Sequence, residues 1–241
     1  SRIAELFGVA GKSALVTGAT SGIGRLIAQG LAEAGVEVWV VSRKADEVAA
    51  LAAELSALTP CHGIAADVTS DEGLTAIKAA IGDLPLHILV NNAGINVDTP
   101  LDGNGREGFD TVLGLNLTAP FMVLQALLPN LDRAASIDDP ARVINIASVA
   151  ALDPGGLPNY SYAASKSGLV IMTRQLGRHL AKRNISCNAI APGLFPSRMS
   201  EKFLGLKPGE TPPPAWASPL GARAGTLDDI AGATIYLCSR A

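Results

Sequence analysis

The sequence predicts an α/β protein built on one doubly wound parallel sheet with helices on both faces. Three observations carry that expectation. Short β-branched runs alternate with amphipathic helical stretches, the loops between them are short, and polar segments recur where the runs end. Parallel strands need crossover connections, so repeated βα units with short loops imply this architecture. With 241 residues and 48% hydrophobic content the chain can bury one large core, or at most two small ones, and it reads as a single domain over 1–241.

Ala14 to Val16 forms the first strand and leads into the glycine-rich turn Thr17-Gly18-Ala19-Thr20-Ser21-Gly22-Ile23-Gly24. A helix follows from Gly22 to Ala34, and Gly35 stops it. Val36 to Val41 is a β-branched strand, Ala45 to Leu58 a helix rich in Ala, Leu and Glu, Gly63 to Ala66 a short strand, and Asp71 to Ile81 a helix. Leu86 to Val90 and Arg142 to Ala147 read as buried strands, with a long helical stretch over Gly105 to Leu128 between them. Tyr160 to Arg183 and Ile185 to Ala191 supply one more helix and strand.

Composition narrows the function. A net charge of -3 with scattered Lys and Arg gives no basic surface for nucleic acid. Cys61, Cys187 and Cys238 lack CxxC or CxxH spacing, which argues against a disulfide framework and a metal site and favours a reducing compartment. No apolar run approaches the roughly 18 residues of a membrane span, and the start Ser-Arg-Ile-Ala-Glu lacks a signal-peptide pattern. The expectation is a soluble, cytoplasmic protein.

Ligands of such sheets bind beyond the carboxyl ends of the strands. Four polar segments fall there: Thr17 to Gly24, Asp67-Val68, Asn91-Asn92-Ala93-Gly94, and Ser148. The glycines of the first turn let the backbone approach a pyrophosphate at the positive end of the next helix. Further on, Tyr162 and Lys166 stand four residues apart in Tyr-Ala-Ala-Ser-Lys, on one helix face. A unit charge about 4 Å away, at an effective dielectric near 20, is worth roughly 4 kcal/mol, or about 3 pKa units in favour of phenolate. Lys166 is therefore expected to bring the Tyr162 phenol toward neutral pH. Singly, Ser148 reads as a strand-end cap, Asn116 as a helix polar residue, Tyr162 as a packing aromatic and Lys166 as a solvated charge.

In order along the chain, Thr17-Gly18-x-x-x-Gly22-x-Gly24, Asp67, Asn91-Asn92-Ala93-Gly94, Asn116, Ser148, Tyr162-x-x-x-Lys166 and Pro192-Gly193 resemble the motifs of the short-chain dehydrogenases/reductases over nearly the whole chain. The stretches Ala141 to Ser148 and Ala191 to Met199 look like β-ketoacyl reductases of the rhamnolipid-associated type. The resemblance implies a Rossmann-type fold and a hydride transfer between nicotinamide and a carbonyl carbon. Tyr162 would donate the proton, Ser148 would hydrogen-bond the carbonyl oxygen, Lys166 would hold the ribose hydroxyls, and Asn116 would bind a relay water, with Pro120 loosening its helix. Tyr160 is a decoy, because Ala164 rather than a lysine follows it by four.

The end of the second strand decides the cofactor. Ser42 occupies the place where a carboxylate would bind both ribose hydroxyls of NAD, and Arg43 and Lys44 beside it suit a 2′-phosphate. NADP(H) is expected, although Ser21 stands where many NADP enzymes of the family carry a basic residue. By the same resemblance, Gly18, Thr20, Ser21, Gly22, Ile23 and Gly24 hold the pyrophosphate, and Asp67 and Val68 contact adenine. Asn92, Ala93 and Gly94 pack near the cofactor, and Ile190, Pro192, Gly193, Leu194 and Ser197 lie by the nicotinamide.

Residues 197–220 read as a substrate lid. Met199, Phe203, Leu204, Leu206 and Trp216 would line an apolar pocket, or pack the lid down, and Arg198 and Lys202 would meet a carrier phosphate. The chain ends inside what resembles the family's last long helix, so the family's final strand is expected to be absent. Catalysis on a 3-oxoacyl thioester leads, a sugar or polyol dehydrogenase is the alternative, and a non-catalytic NADP-binding scaffold is the reading from another class. A homodimer or homotetramer through Gly105 to Leu128 and Tyr160 to Arg183 is expected from Phe121, Met122, Leu124, Leu169, Met172 and Leu176.

Overall fold

The computed structural model describes residues 1–102, 105–153, 158–205, 207, 210 and 223–241, with the side chains of Lys202 and Phe203 outside that description. After a short helix α1 (Arg2–Phe7) come β1 (Ser13–Thr17), α2 (Gly22–Glu33), β2 (Glu37–Ser42), α3 (Ala45–Leu55), β3 (Cys61–Ala65), α4 (Asp71–Ile81) and β4 (Ile88–Asn91). The second half holds α5 (Arg106–Leu113), α6 (Ala119–Ala134), β5 (Ala141–Ile146), α7 (Tyr160–Leu180), β6 (Ile185–Ile190), α8 (Arg198–Leu204) and α9 (Leu227–Cys238).

The six strands form one parallel sheet in the order β3-β2-β1-β4-β5-β6. The chain leaves β1 toward β2 and β3, then returns to add β4 on its other side, which opens a topological switch point between β1 and β4. Alternate residues of each strand face opposite sides. Ala14, Val16, Val38, Val40, Ile144 and Ile146 pack with α2, α3 and α9, whereas Leu15, Trp39, Val41, Leu89 and Val143 pack with α4, α6 and the end of α7. The doubly wound expectation is borne out, with two cores rather than one large one.

Most boundaries fall within three residues of those expected, and Asp71–Ile81 coincides. Gly35 does end the α2 turn, at φ +80°. α1 was not anticipated. It is tied to the far end of the chain by Arg240 N donating to Leu6 O at 3.0 Å and by Phe7 against Tyr236. Among the described residues no strand follows β6.

The long helical stretch differs most from expectation. It runs from Arg106 to Ala134 with a π turn at Gly114–Thr118, between α5 and α6. Pro120 explains the turn: it has no N–H to donate to the carbonyl of Asn116 four residues back, so the ladder shifts register there. By length and composition this stretch is also long and apolar enough to cross a bilayer, contrary to the expectation that no run approaches that size. Its Val123, Leu124, Leu127 and Leu131 are spent on the sheet core.

Candidate active site

The glycine turn is shaped by close approach. Gly18 lies at φ +64°, and a Cβ there would sit 2.8 Å from Ala93 Cα; one on Gly24 would sit 2.4 Å from Gly18 O and 2.3 Å from Asn92 Nδ2. The Asn92 amide occupies that gap, donating to Thr17 O at 3.0 Å and Gly18 O at 3.1 Å, while Thr17 Oγ1 accepts from the Asn92 and Ala93 backbone N–H groups. Asn92 thus clamps the β1 turn to the β4 loop across the switch point. At the start of α2, Ser21 makes no side-chain cap hydrogen bond and no acidic residue stands in the first turn. Ser70 in the same position at α4 accepts from Gly73 N and is followed by Asp71 and Glu72. The contrast leaves the α2 dipole end open to an anion. A dinucleotide pyrophosphate fits these residues.

At the end of β2, Thr20 Oγ1 donates to Ser42 Oγ at 3.1 Å. Arg43 is exposed and its charge acts on Asp67, while Lys44 Nζ reaches Glu47 Oε1 at 2.9 Å. Asp67 Oδ1 accepts from Thr69 N at 2.9 Å and Thr69 Oγ1 at 2.7 Å, and these bonds hold its carboxyl below the usual range. The carboxylate expected on adenine is thus folded back on its own turn, and Val68 is buried in the core.

Deeper in, Lys166 is 4% exposed, and its Nζ donates to Ile146 O at 2.7 Å, beside the end of β5. Burial pushes its pKa down to about 8. Nζ lies 5.8 Å from the Tyr162 ring centroid. Burial pushes the Tyr162 phenol up, and its hydrogen bond with Ser148 opposes this. The expectation of a lowered phenol is therefore corrected for the free protein. Desolvation penalises both charged forms, and Lys166 spends its donor on a carbonyl rather than on the phenolic oxygen. Ser148 Oγ also accepts from Ala150 N at 3.2 Å, so both the capping reading and the contact with tyrosine hold.

Asn116, fully buried in the π turn, accepts from Ile95 N at 2.8 Å and donates to Ile95 O and Ser165 Oγ. Its side chain is thereby consumed in fixing the β4 loop, and its backbone carbonyl is the group that Pro120 deprives of a helical donor. Gly94 sits between the two: a Cβ there would lie 3.3 Å from Asn116 Oδ1 and 3.4 Å from Lys166 Nζ. Tyr160 is 43% exposed at the first turn of α7, apart from this cluster.

The segment after β6 closes the site. Val149 N donates to Pro192 O at 3.0 Å, Gly225 N to Leu194 O at 2.8 Å, and Gly193 is exposed. Ser197 does not stand free: its Oγ accepts from Ser200 N at 3.0 Å, and a Cβ on Gly22 would sit 2.9 Å from Ser197 Cβ, so this segment rests on the glycine turn. The expected loop is helical over Arg198–Leu204, with Met199 exposed. Arg198 pairs with Glu47 at 3.1 Å while its side chain stays largely exposed. The remaining expectations for the lid, on the side chains of Lys202 and Phe203 and on Leu206 and Trp216, lie outside the described residues. Residues missed from sequence are Ile146, whose carbonyl seats Lys166, and Glu47; the i,i+3 spacing from Lys44 signalled the latter.

A Rossmann-type sheet whose switch point gathers a glycine turn, a serine, a tyrosine and a buried lysine defines a dinucleotide-dependent oxidoreductase. The chain belongs to the short chain dehydrogenase family, which matches residues 12–204. It is 41% identical over 237 residues to the rhamnolipids biosynthesis 3-oxoacyl-[acyl-carrier-protein] reductase of Pseudomonas aeruginosa, covering 98% of this chain and 92% of that one. It is 34% identical over 251 residues to the 2-dehydro-3-deoxy-D-gluconate 5-dehydrogenase of Formosa agariphila, with 98% and 89% covered. The solved Pseudomonas aeruginosa RhlG/NADP active-site complex superposes with a TM-score of 0.90 at 40% identity, covering 98% of this chain and 92% of that chain.

Proposed function

We propose that this chain is an NADP(H)-dependent carbonyl reductase acting on a 3-oxoacyl thioester, with Ser148, Tyr162 and Lys166 as catalytic residues and Asn116 joining them through its backbone carbonyl, which would hold the relay water, since its side chain is taken by Ile95 and Ser165. The observation that carries the reading is a buried lysine with no carboxylate partner among the described residues, set beside a serine-bonded phenol at the carboxyl edge of the sheet. The thioester comes from the likeness to the Pseudomonas aeruginosa reductase, and NADP from that to the RhlG complex together with Arg43 and Lys44.

When bound, the nicotinamide supplies the hydride. The α2 end with Gly18, Thr20, Ser21, Gly22, Ile23 and Gly24 would hold the pyrophosphate, Ser42, Arg43 and Lys44 the 2′-phosphate, and Asp67 and Val68 the adenine. Ala93 and Gly94, clamped by Asn92, would form the floor, and Pro192, Gly193, Leu194 and Ser197 the nicotinamide side. Burial keeps the Tyr162 phenol protonated, which is the form a proton donor needs in reduction. The Ser148 hydroxyl steadies charge growing on the carbonyl oxygen. Lys166, held near pKa 8, exchanges its proton close to working pH and replaces the one Tyr162 gives up.

A single-domain, cytoplasmic homodimer or homotetramer completes the reading. Phe121 (41% exposed) and Ile171 (60%) support an α6–α7 contact, whereas Leu124 and Leu169, expected in it, are buried within the chain. NADPH absorbance in the presence of 3-oxoacyl thioesters and of 5-keto sugar acids tests the activity. Consumption with the thioesters is expected; turnover confined to the sugar acids would shift the substrate class, and binding without turnover would leave a scaffold.

A further inference from the structure

We propose that Arg198, on α8, is a third cation of the 2′-phosphate site, and that Glu47 neutralises it whenever that phosphate is absent. The pair then sets how strongly the chain prefers NADP(H) over NAD(H). The inference rests on the cofactor reading above and adds to it two residues from outside the β2 end.

Glu47 stands in the first turn of α3, and its carboxylate collects donors from two parts of the chain. Lys44 Nζ lies 2.9 Å from Oε1, and Arg198 Nη1 lies 3.1 Å from Oε1 and 3.5 Å from Oε2. A guanidinium and an ammonium converging on one anion are a donor set that suits phosphate. They converge beside Ser42, where a carboxylate would otherwise read ribose hydroxyls.

Arg198 reaches this place because its backbone is seated rather than by the freedom of a long side chain. Ser197 packs on Gly22, and the Ser197–Ser200 hydrogen bonds fix the first turn of α8. Counting Arg43 with Asp67, three cations face two carboxylates here. A 2′-phosphate carries about -1.5 to -2 charges, so it competes with Glu47 for Lys44 and Arg198 and is repelled by Glu47 itself. NAD(H), which lacks that phosphate, leaves the Glu47 pairs undisturbed. Glu47 therefore weakens NADP(H) binding and Arg198 strengthens it.

Calorimetric titration of the full chain with NADPH, NADH, adenosine 2′,5′-bisphosphate and 5′-AMP tests this. Arg198→Ala should weaken NADPH and the bisphosphate by about tenfold, leave NADH and 5′-AMP within twofold, and reduce the salt dependence of NADPH binding. Arg198→Lys should recover part of the loss. Glu47→Gln should tighten NADPH severalfold without helping NADH. Equal losses for both cofactors in Arg198→Ala would make it only a lid anchor and overturn the proposal, as would no loss at all, or a weaker NADPH complex in Glu47→Gln. If the unmodified chain bound neither cofactor, the cofactor reading itself would fall.

Discussion

Lys12 and Lys166 are buried to a similar degree, 7% and 4% exposed, at opposite ends of the same sheet. Lys12, just before β1, meets Asp139 at 2.5 and 2.6 Å, and Arg142 joins that carboxylate at 3.1 Å while donating to Ser239 O. Lys166, beyond the end of β5, has a single carbonyl among the described residues. At the amino end the buried lysine has a carboxylate partner, which it shares with Arg142; at the carboxyl end, among the described residues, it has none, and the cost falls on the lysine's proton affinity. An unpaired buried lysine is therefore the better marker of chemistry, and a paired one of architecture.

The contrast is tested most severely at the phenol. Tyr162→Phe should lower turnover by about 10³ to 10⁴-fold, the upper part of what a positioned acid contributes, with cofactor affinity retained. Tyr160→Phe should stay within twofold; equal losses from two folded variants would move the acid elsewhere. Next comes Lys166→Met, expected to cost about 10²-fold in turnover, whereas Lys12→Met should leave turnover nearly unchanged. Thermal melts should reverse that ranking. Lys12→Met should lose about 2 kcal/mol, since Asp139 retains Arg142, and Lys166→Met should gain stability.

The sign of that gain depends on pH. Lys166 has a folded pKa near 8, below its ordinary 10.5, so the folded state resists protonation and the penalty is complete below about pH 8. The advantage of Lys166→Met should be largest at pH 7 and shrink from pH 8 toward 10.5, read from denaturant midpoints; a constant advantage would mean that the lysine is not depressed. The smallest expected effect lies at the other end of the sheet. Burial, with Lys12 nearby, pushes His87 down, and its Nδ1 accepts from Ser13 N. Stability should therefore fall as pH drops below about 6.5, and His87→Gln should flatten that slope.

Alternation of β-branched and amphipathic runs made the strands and most helices legible, and the order of motifs brought Ser148, Tyr162 and Lys166 together before any coordinates. What stayed hidden depends on tertiary neighbours. The direction of the Tyr162 shift turned on burial and on the carbonyl of Ile146, which spacing does not reveal. Asn92 was expected near a cofactor, and its amide is occupied by Thr17 and Gly18 carbonyls from the other side of the switch point. Arg198 carried no sequence sign that it would pair with Glu47, because that partner lies on α3, far away along the chain.

The π turn at Gly114–Thr118 also sets a phase. One additional residue in a helix advances everything beyond it by about 100°, so the face that α5 presents is offset from the one α6 presents. Removing one residue from Leu113 to Leu115, with Pro120 replaced by alanine, should restore an unbroken α-helix. It would also rotate α5 out of its seat, swinging the hydrogen-bonded loop at Ile95 away from Lys166. The irregularity thus works as a clutch between the half of the helix that packs the sheet and the half that shapes the pocket.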